Sequence, residues 1–194
     1  MEINNICIYC ASSSKVAQEY NDIAYELGAL LAREGITAIT GAGSIGLMRQ
    51  VEDGVLENGG KAIGVIPQFM VEQGWHHTGL TELRITESMH ERKQTMADLS
   101  DAIIALPGGC GTMEELCEII TWKQLGLYLN PIVILNINGY YDPLIAQLAK
   151  AVEEHFMGEL HSRIWSVATT PAEAIEIIRS TPRWNSEVRK YAAL

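Results

Sequence analysis

Three short stretches carry residue types whose spacing could do chemistry. Pro107-Gly-Gly-Cys-Gly-Thr-Met-Glu-Glu115 places three glycines ahead of a helical pattern and two carboxylates inside it. Glycines let the backbone of Gly108, Gly109 and Gly111 turn its N–H groups into one concavity, and a helix beginning at Thr112 adds the positive end of its dipole. That is a cradle for an anion such as a phosphate. It is not a P-loop, because no G-x-x-x-x-G-K-[ST] pattern occurs. Thr112 and Glu115 also fit a capping box, with Thr112 as N-cap and Glu115 reaching back to its amide. Spacing alone weighs that role of Glu115 equally with a catalytic one.

A second stretch, Met89-His-Glu-Arg-Lys-Gln-Thr-Met96, helps to decide. Helical periodicity puts Met89, Arg92, Met96 and Leu99 on one stripe, with Lys93 at its border. A guanidinium on an apolar face requires an anion, either a ligand phosphate or a buried carboxylate such as Glu115. The ordinary alternative is that Arg92 reaches past Met96 to water. The third stretch, Gly41-Ala-Gly-Ser-Ile-Gly46, matches G-x-G-x-x-G between a strand and a helix, and offers Gly43 and Ser44 as ligand contacts. A dinucleotide site also needs an acid at the end of the next strand, where the chain reads Val65-Ile-Pro-Gln68. NAD is therefore not expected.

The elements that must position these loops alternate along the chain. Apolar, β-branched runs at Asn5–Cys10, Ile36–Thr40, Lys61–Ile66, Leu83–Thr86, Ala102–Leu106, Pro131–Asn136 and Ile164–Val167 read as strands. Helical patterns run through Val16–Leu31, Gly46–Glu57, Met89–Leu99, Thr112–Leu129, Pro143–Phe156 and Pro171–Ser180. Strands that are apolar on both faces lie under helices on both sides. The expectation is a single α/β domain over residues 1–181, a Rossmann-like, doubly wound parallel sheet in three α/β/α layers. Residues 182–194 form a tail, either a docked helix or a frayed end.

Composition narrows the partners. The 194 residues carry a net charge of −10, which repels polyanions and argues against nucleic acid and anionic membranes. Apolar runs fall far short of the roughly 20 residues that span a bilayer. No basic region followed by an apolar core opens the chain, so a cytoplasmic location is expected. Cys7 and Cys10 are spaced C-x-x-C but lie in an apolar strand, which favours core packing over redox chemistry. Cys110 and Cys117 supply no second C-x-x-C, and the histidines give no H-E-x-x-H. No metal and no cofactor is implied.

The chain resembles the Lonely Guy family, the cytokinin riboside 5′-monophosphate phosphoribohydrolases often mislabelled lysine decarboxylases. The signature P-G-G-x-G-T-x-x-E falls on Pro107, Gly108, Gly109, Gly111, Thr112 and Glu115, and M-H-x-R-K falls on Met89, His90, Arg92 and Lys93. Similarity continues through Ile119-Ile-Thr-Trp122, Gln124-Leu-Gly126 and Asn138-Gly-Tyr-Tyr141, over about residues 5 to 157. The resemblance implies a Rossmann-like homodimer, or an assembly of dimers, with active sites near the interface. It implies hydrolysis of the N-glycosidic bond of adenosine or N6-prenyladenosine 5′-monophosphate to the free base and ribose 5-phosphate. The family's catalytic pair falls on Arg92 and Glu115. Its nucleotide contacts fall on Arg92, Lys93, Gly109, Cys110, Gly111, Thr112, Met113, Glu114, Glu115 and Thr121. Ala42 and Arg49 stand where relatives tend to have glycine. An acidic substrate contact of the family falls on Gly74, with Glu72 as its nearest substitute.

Two other readings compete. A carrier of a nucleotide or a phosphate-containing cofactor needs only the glycine loops and a buried arginine. An amino-acid decarboxylase needs pyridoxal phosphate on a lysine, for which Lys93 is the lysine beside the site.

Overall fold

The computed structural model describes residues 2–185 and 187. Seven strands, β1 (Asn5–Tyr9), β2 (Thr37–Thr40), β3 (Ala62–Pro67), β4 (Glu82–Thr86), β5 (Ala102–Ala105), β6 (Ile132–Leu135) and β7 (Ser166–Ala168), form one sheet. They lie in the order β4-β3-β2-β1-β5-β6-β7, and every pairing is parallel. Among the described residues six α-helices fill the crossovers, α1 (Gln18–Arg33), α2 (Gly46–Glu57), α3 (Gln68–Glu72), α4 (Met89–Asp98), α5 (Cys110–Gln124) and α6 (Asp142–Glu153), and α7 (Pro171–Ser180) follows the last strand.

The period-2 alternation of strands sorts the core into two slabs. On β1, Ile6 and Ile8 face α1, α2 and α7, while Cys7 and Tyr9 join the slab under α4 and α5. The two-sided burial expected from the apolar runs is present in β1, β2, β3, β5 and β6, while the edge strands β4 and β7 leave Ile85 and Val167 exposed; the fold is a three-layer, doubly wound α/β sheet. The α1–α2 pair packs backbone to backbone: a Cβ on Gly28 would lie 2.2 Å from the Val51 carbonyl oxygen.

From β1 the chain winds outward through β2 and β3 to β4, then returns to place β5 on the other side of β1. The carboxyl ends of β1, β2 and β5 thus surround the point where strand order reverses, which is where open α/β sheets bind ligands.

Some boundaries differ from the sequence pattern. Helix α5 starts at Cys110 rather than Thr112 and ends at Gln124 rather than Leu129, because Gly126 takes a left-handed φ of 68° just past the helix end. The short α3 was not expected. Of the tail, Trp184 donates its amide to the Leu129 carbonyl at 2.9 Å, and Lys123 Nζ lies 5.2 Å from its ring centre. Residues 186 and 188–194, which carry most of the expected tail, docked helix or frayed end, lie outside the described residues.

Candidate active site

Helix α4 is started by Ser88, whose hydroxyl accepts from the Glu91 amide at 3.1 Å. One turn in, Arg92 points into the molecule rather than past Met96 to water; its side chain is 6% exposed. Nε donates to the Val65 carbonyl on β3 at 3.0 Å, and Nη1 to Glu115 Oε1 at 2.8 Å. The two residues, 23 positions apart in sequence, form a buried, hydrogen-bonded ion pair.

Glu115 reaches this pair because of where α5 begins. Gly109 is the N-cap, without a side-chain cap bond, and Thr112 is the third helical residue. The capping-box expectation for Thr112 and Glu115 is therefore corrected: the helix starts too early for Glu115 to serve its first amide. A counter-charge in a dry site outweighs a cap that solvent or a ligand can replace. Behind the loop, Tyr140 and Tyr141 donate their hydroxyls to the carbonyls of Gly108 and Leu106, each at 2.7 Å.

None of Gly108, Gly109 and Gly111 has a positive φ; Gly108 lets Thr112 pack against its backbone, where a Cβ would lie 2.1 Å from the Thr112 hydroxyl, and Gly109 and Gly111 supply space. A Cβ built on Gly109 or Gly111 would meet no atom within 4 Å, and both line the cleft. The first amides of α5 have no acceptor within the helix, which leaves them to an anion. At Gly41 the opposite holds: a Cβ would lie 1.9 Å from Arg92 Nη2.

The cleft measures about 400 Å³. Of the residues expected from sequence, Gly43, Arg92, Gly109, Gly111, Thr112 and Glu115 line it. Ser44 is tied by its amide to the Trp75 carbonyl at 2.9 Å, and Gly108 borders a smaller adjoining hollow. Cys110 is exposed, and Met113 packs on the core slab beneath. Thr121 turns its hydroxyl back to the Cys117 carbonyl at 2.8 Å. Lys93 is bound to Glu114 and, at 3.0 Å, to Glu118. Glu72 accepts from Gln68 at 3.1 Å, and neither it nor Gly74 lines the cleft.

Sequence reasoning passed over Ala11, Ser12 and Ser13 in the loop after β1, which form one wall with Cys10, and over Met48 and Met70; Met89, named for its motif, was not expected in the lining. The available signal was positional: small residues following the central strand of a doubly wound sheet.

Burial raises the Glu115 carboxyl above its ordinary range, and the Arg92 guanidinium opposes that rise. For Lys93, burial acts to lower the ammonium, but its bonds to Glu114 and Glu118 outweigh it and the net shift is upward. Burial likewise pushes up the Cys10 thiol, leaving it protonated and inert.

A family model described as "Possible lysine decarboxylase" matches residues 48–178. The cytokinin riboside 5′-monophosphate phosphoribohydrolase LOG of Oryza sativa subsp. japonica is 44% identical over 170 residues, covering 88% of this chain and 70% of that protein. The chain belongs to this family. A second LOG relative, the cytokinin riboside 5′-monophosphate phosphoribohydrolase LOG4 of Arabidopsis thaliana, is 41% identical over 186 residues, covering 91% of this chain and 86% of that one.

Solved structures extend the LOG fold to more distant proteins. The molybdenum cofactor binding protein of Rippkaea orientalis matches with a TM-score of 0.70 at 23% identity, covering 93% of this chain and 98% of that one. The molybdenum cofactor carrier protein MCP of Chlamydomonas reinhardtii matches with a TM-score of 0.69 at 21% identity, covering 92% and 97%. At such identities the likeness is one of fold.

Proposed function

We propose that the protein hydrolyses the N-glycosidic bond of adenosine or N6-prenyladenosine 5′-monophosphates, releasing the base and ribose 5-phosphate. The observation that carries this reading is the Arg92–Glu115 pair, closed at 2.8 Å in the wall of a cleft that also holds the open first turn of α5. The names of the LOG relatives point to the same substrate class.

In this mechanism the amides from Gly109 to Thr112 hold the 5′-phosphate at the positive end of α5. The carboxylate of Glu115 stabilises the positive charge that develops on the ribose as the bond to the base lengthens, and orients the attacking water. The bonding electron pair leaves with the purine. Water gives its oxygen to C1′ and one proton to the departing base. Arg92 favours the ionised form of Glu115, opposing the effect of burial, and presents its remaining N–H groups to the base or the water.

A lysine decarboxylase would need a free amine for its cofactor. Lys93 is bound to two carboxylates that keep it protonated, which fits that chemistry poorly. We assign the biological unit to a homodimer, or an assembly of dimers, with active sites near the interface, as the resemblance to the LOG family implies. No helix among the described residues is long and apolar enough to cross a membrane. The exposed free thiols of Cys110 and Cys117 favour the reducing cytoplasm.

The test is chromatography of the purified protein incubated with AMP, with N6-prenyladenosine monophosphate and with adenosine. Free base from the nucleotides is expected, with kcat/KM for adenosine at least about 10²-fold lower, since binding energy at the phosphate positions the scissile bond. Nucleotide bound but not cleaved would favour the carrier. Equal turnover of adenosine and AMP would remove the phosphate cradle.

A further inference from the structure

Glu52 on α2 is fully enclosed, with no solvent exposure. Its Oε1 accepts a hydrogen bond from Thr40 Oγ1, and its Oε2 has no partner among the described residues. Charged groups on its own helix are already engaged: Arg49 binds Asp53 at 3.0 Å, and Asp53 also meets His77 Nε2 at 2.8 Å. From β1 it faces the neutral Cys10 thiol, and from β2 the Thr40 hydroxyl. The buried side chains of α1 are Ala24, Leu27, Gly28, Ala29 and Leu31, and β3 contributes only Ala62–Pro67, all uncharged. An ion without a counter-charge is not retained in such a place. Burial accordingly pushes the Glu52 pKa up to about 8, against the opposing Thr40 bond, so the side chain is a neutral acid at pH 7.

The bond it makes reaches toward the cleft. Thr40 Oγ1 also accepts from the Ala42 amide at 3.1 Å. Ala42 is a non-glycine residue at φ 62°, a conformation that persists only where its surroundings impose it. Gly41 lies between the two, and its backbone backs the Arg92 guanidinium so closely that no Cβ fits.

We infer that Glu52 is a positioning residue for the Arg92–Glu115 pair. As a neutral acid it holds Thr40, Thr40 holds the left-handed turn at Ala42, and that turn sets the Gly41 backbone against the guanidinium. The kinetic consequence rests on the hydrolase reading; the structural consequence does not.

Glu52→Gln keeps an uncharged acceptor for Thr40, whereas Glu52→Leu keeps bulk and removes the acceptor. With AMP at pH 7, the Gln variant is expected to retain kcat within about twofold. The Leu variant should lose at least about tenfold in kcat with KM changed less than threefold. The Ala42 amide should exchange its hydrogen at least about tenfold faster in the Leu variant alone. Above about pH 8, where an ionised Glu52 stays in place only if the loop admits water, wild-type kcat should fall and that of the Gln variant should not. Thr40→Val, which removes the hydroxyl from the other side, should reproduce the loss if the Leu variant does not fold.

A folded Leu or Val variant with wild-type kcat and a protected Ala42 amide would overturn the inference. So would an alkaline fall shared by wild type and the Gln variant. If no form of the protein cleaves AMP, the hydrolase reading fails by itself, and exchange at Ala42 still decides whether Glu52 holds the turn.

Discussion

The loop after β2 and the loop after β5 both carry glycines and both line the cleft, yet the missing side chains serve opposite ends. At Gly41 the vacant position is already taken by the Arg92 guanidinium. At Gly109 and Gly111 it opens onto empty cleft. The β2 loop is strapped on every side, by Thr40 and Glu52 beneath it and by the bridge from Gly43 to His76. The β5 loop is held from behind by Tyr140 and Tyr141 and from the β1 loop by the Ala11 amide, which donates to the Pro107 carbonyl at 3.2 Å; none of these bonds uses the first amides of α5. One loop fixes a side chain and the other leaves room for a ligand. A glycine motif is therefore read from what fills the place of its Cβ.

Substitutions that add one methyl group can break this contrast. Gly41→Ala is expected to have the largest effect: the methyl must displace Arg92 Nη2, and misplacement of that size should lower kcat by about 10²-fold with nucleotide affinity largely kept. Gly109→Ala should act the other way, raising KM about tenfold, or about 1.4 kcal/mol of binding, with kcat retained. Steady-state kinetics on AMP separate the two, and an exchange of these patterns would reverse the roles given to the loops.

Glu52 sharpens the contrast through stability. It keeps its proton in the folded chain up to about pH 8 but loses it near pH ~4.3 when unfolded. Because the folded-state pKa is the raised one, its contribution is whole below the unfolded value and is lost as pH rises toward about 8. Glu52→Gln has no such loss. Its melting temperature should therefore gain on wild type across that window and hold a level advantage above it; a gap that does not change with pH would contradict a buried neutral acid.

Lys93→Met should have the smallest effect. Because Lys93 braces α4 against Glu114 and Glu118, about 1 kcal/mol or less of stability should be lost in urea titration, with turnover changed less than about threefold. A loss confined to phosphorylated substrates would instead place the ammonium on the phosphate.

Much of the fold was legible because parallel strands buried on both faces are apolar runs with punctuated ends, as in Ile132–Leu135. Helices α2 and α7 match their expected bounds because Gly46 opens one, and Thr170 with Pro171 opens the other. The meeting of Arg92 and Glu115 was legible from a guanidinium on an apolar stripe.

The start of α5 was not, because a good capping sequence at Thr112 competes with a glycine N-cap three residues earlier, and the Arg92 charge decides where Glu115 turns. The wall at Ala11–Ser13 carries no charged or glycine motif; its importance comes from β1 being the central strand. Glu52 looks like any acid in an amphipathic helix, and it is the packing of α2 on the sheet, with Thr40 and Cys10 against it, that encloses it.

The measurement that bears most directly on the Arg92–Glu115 pair is turnover of AMP by Glu115→Gln, followed together with its thermal midpoint. A fall in kcat of at least about 10²-fold, in a protein that melts close to wild type, is expected for the loss of a preorganised charge at the ribose. Wild-type turnover in a protein that melts earlier would make the pair a structural brace and contradict its role in cleaving the nucleotide.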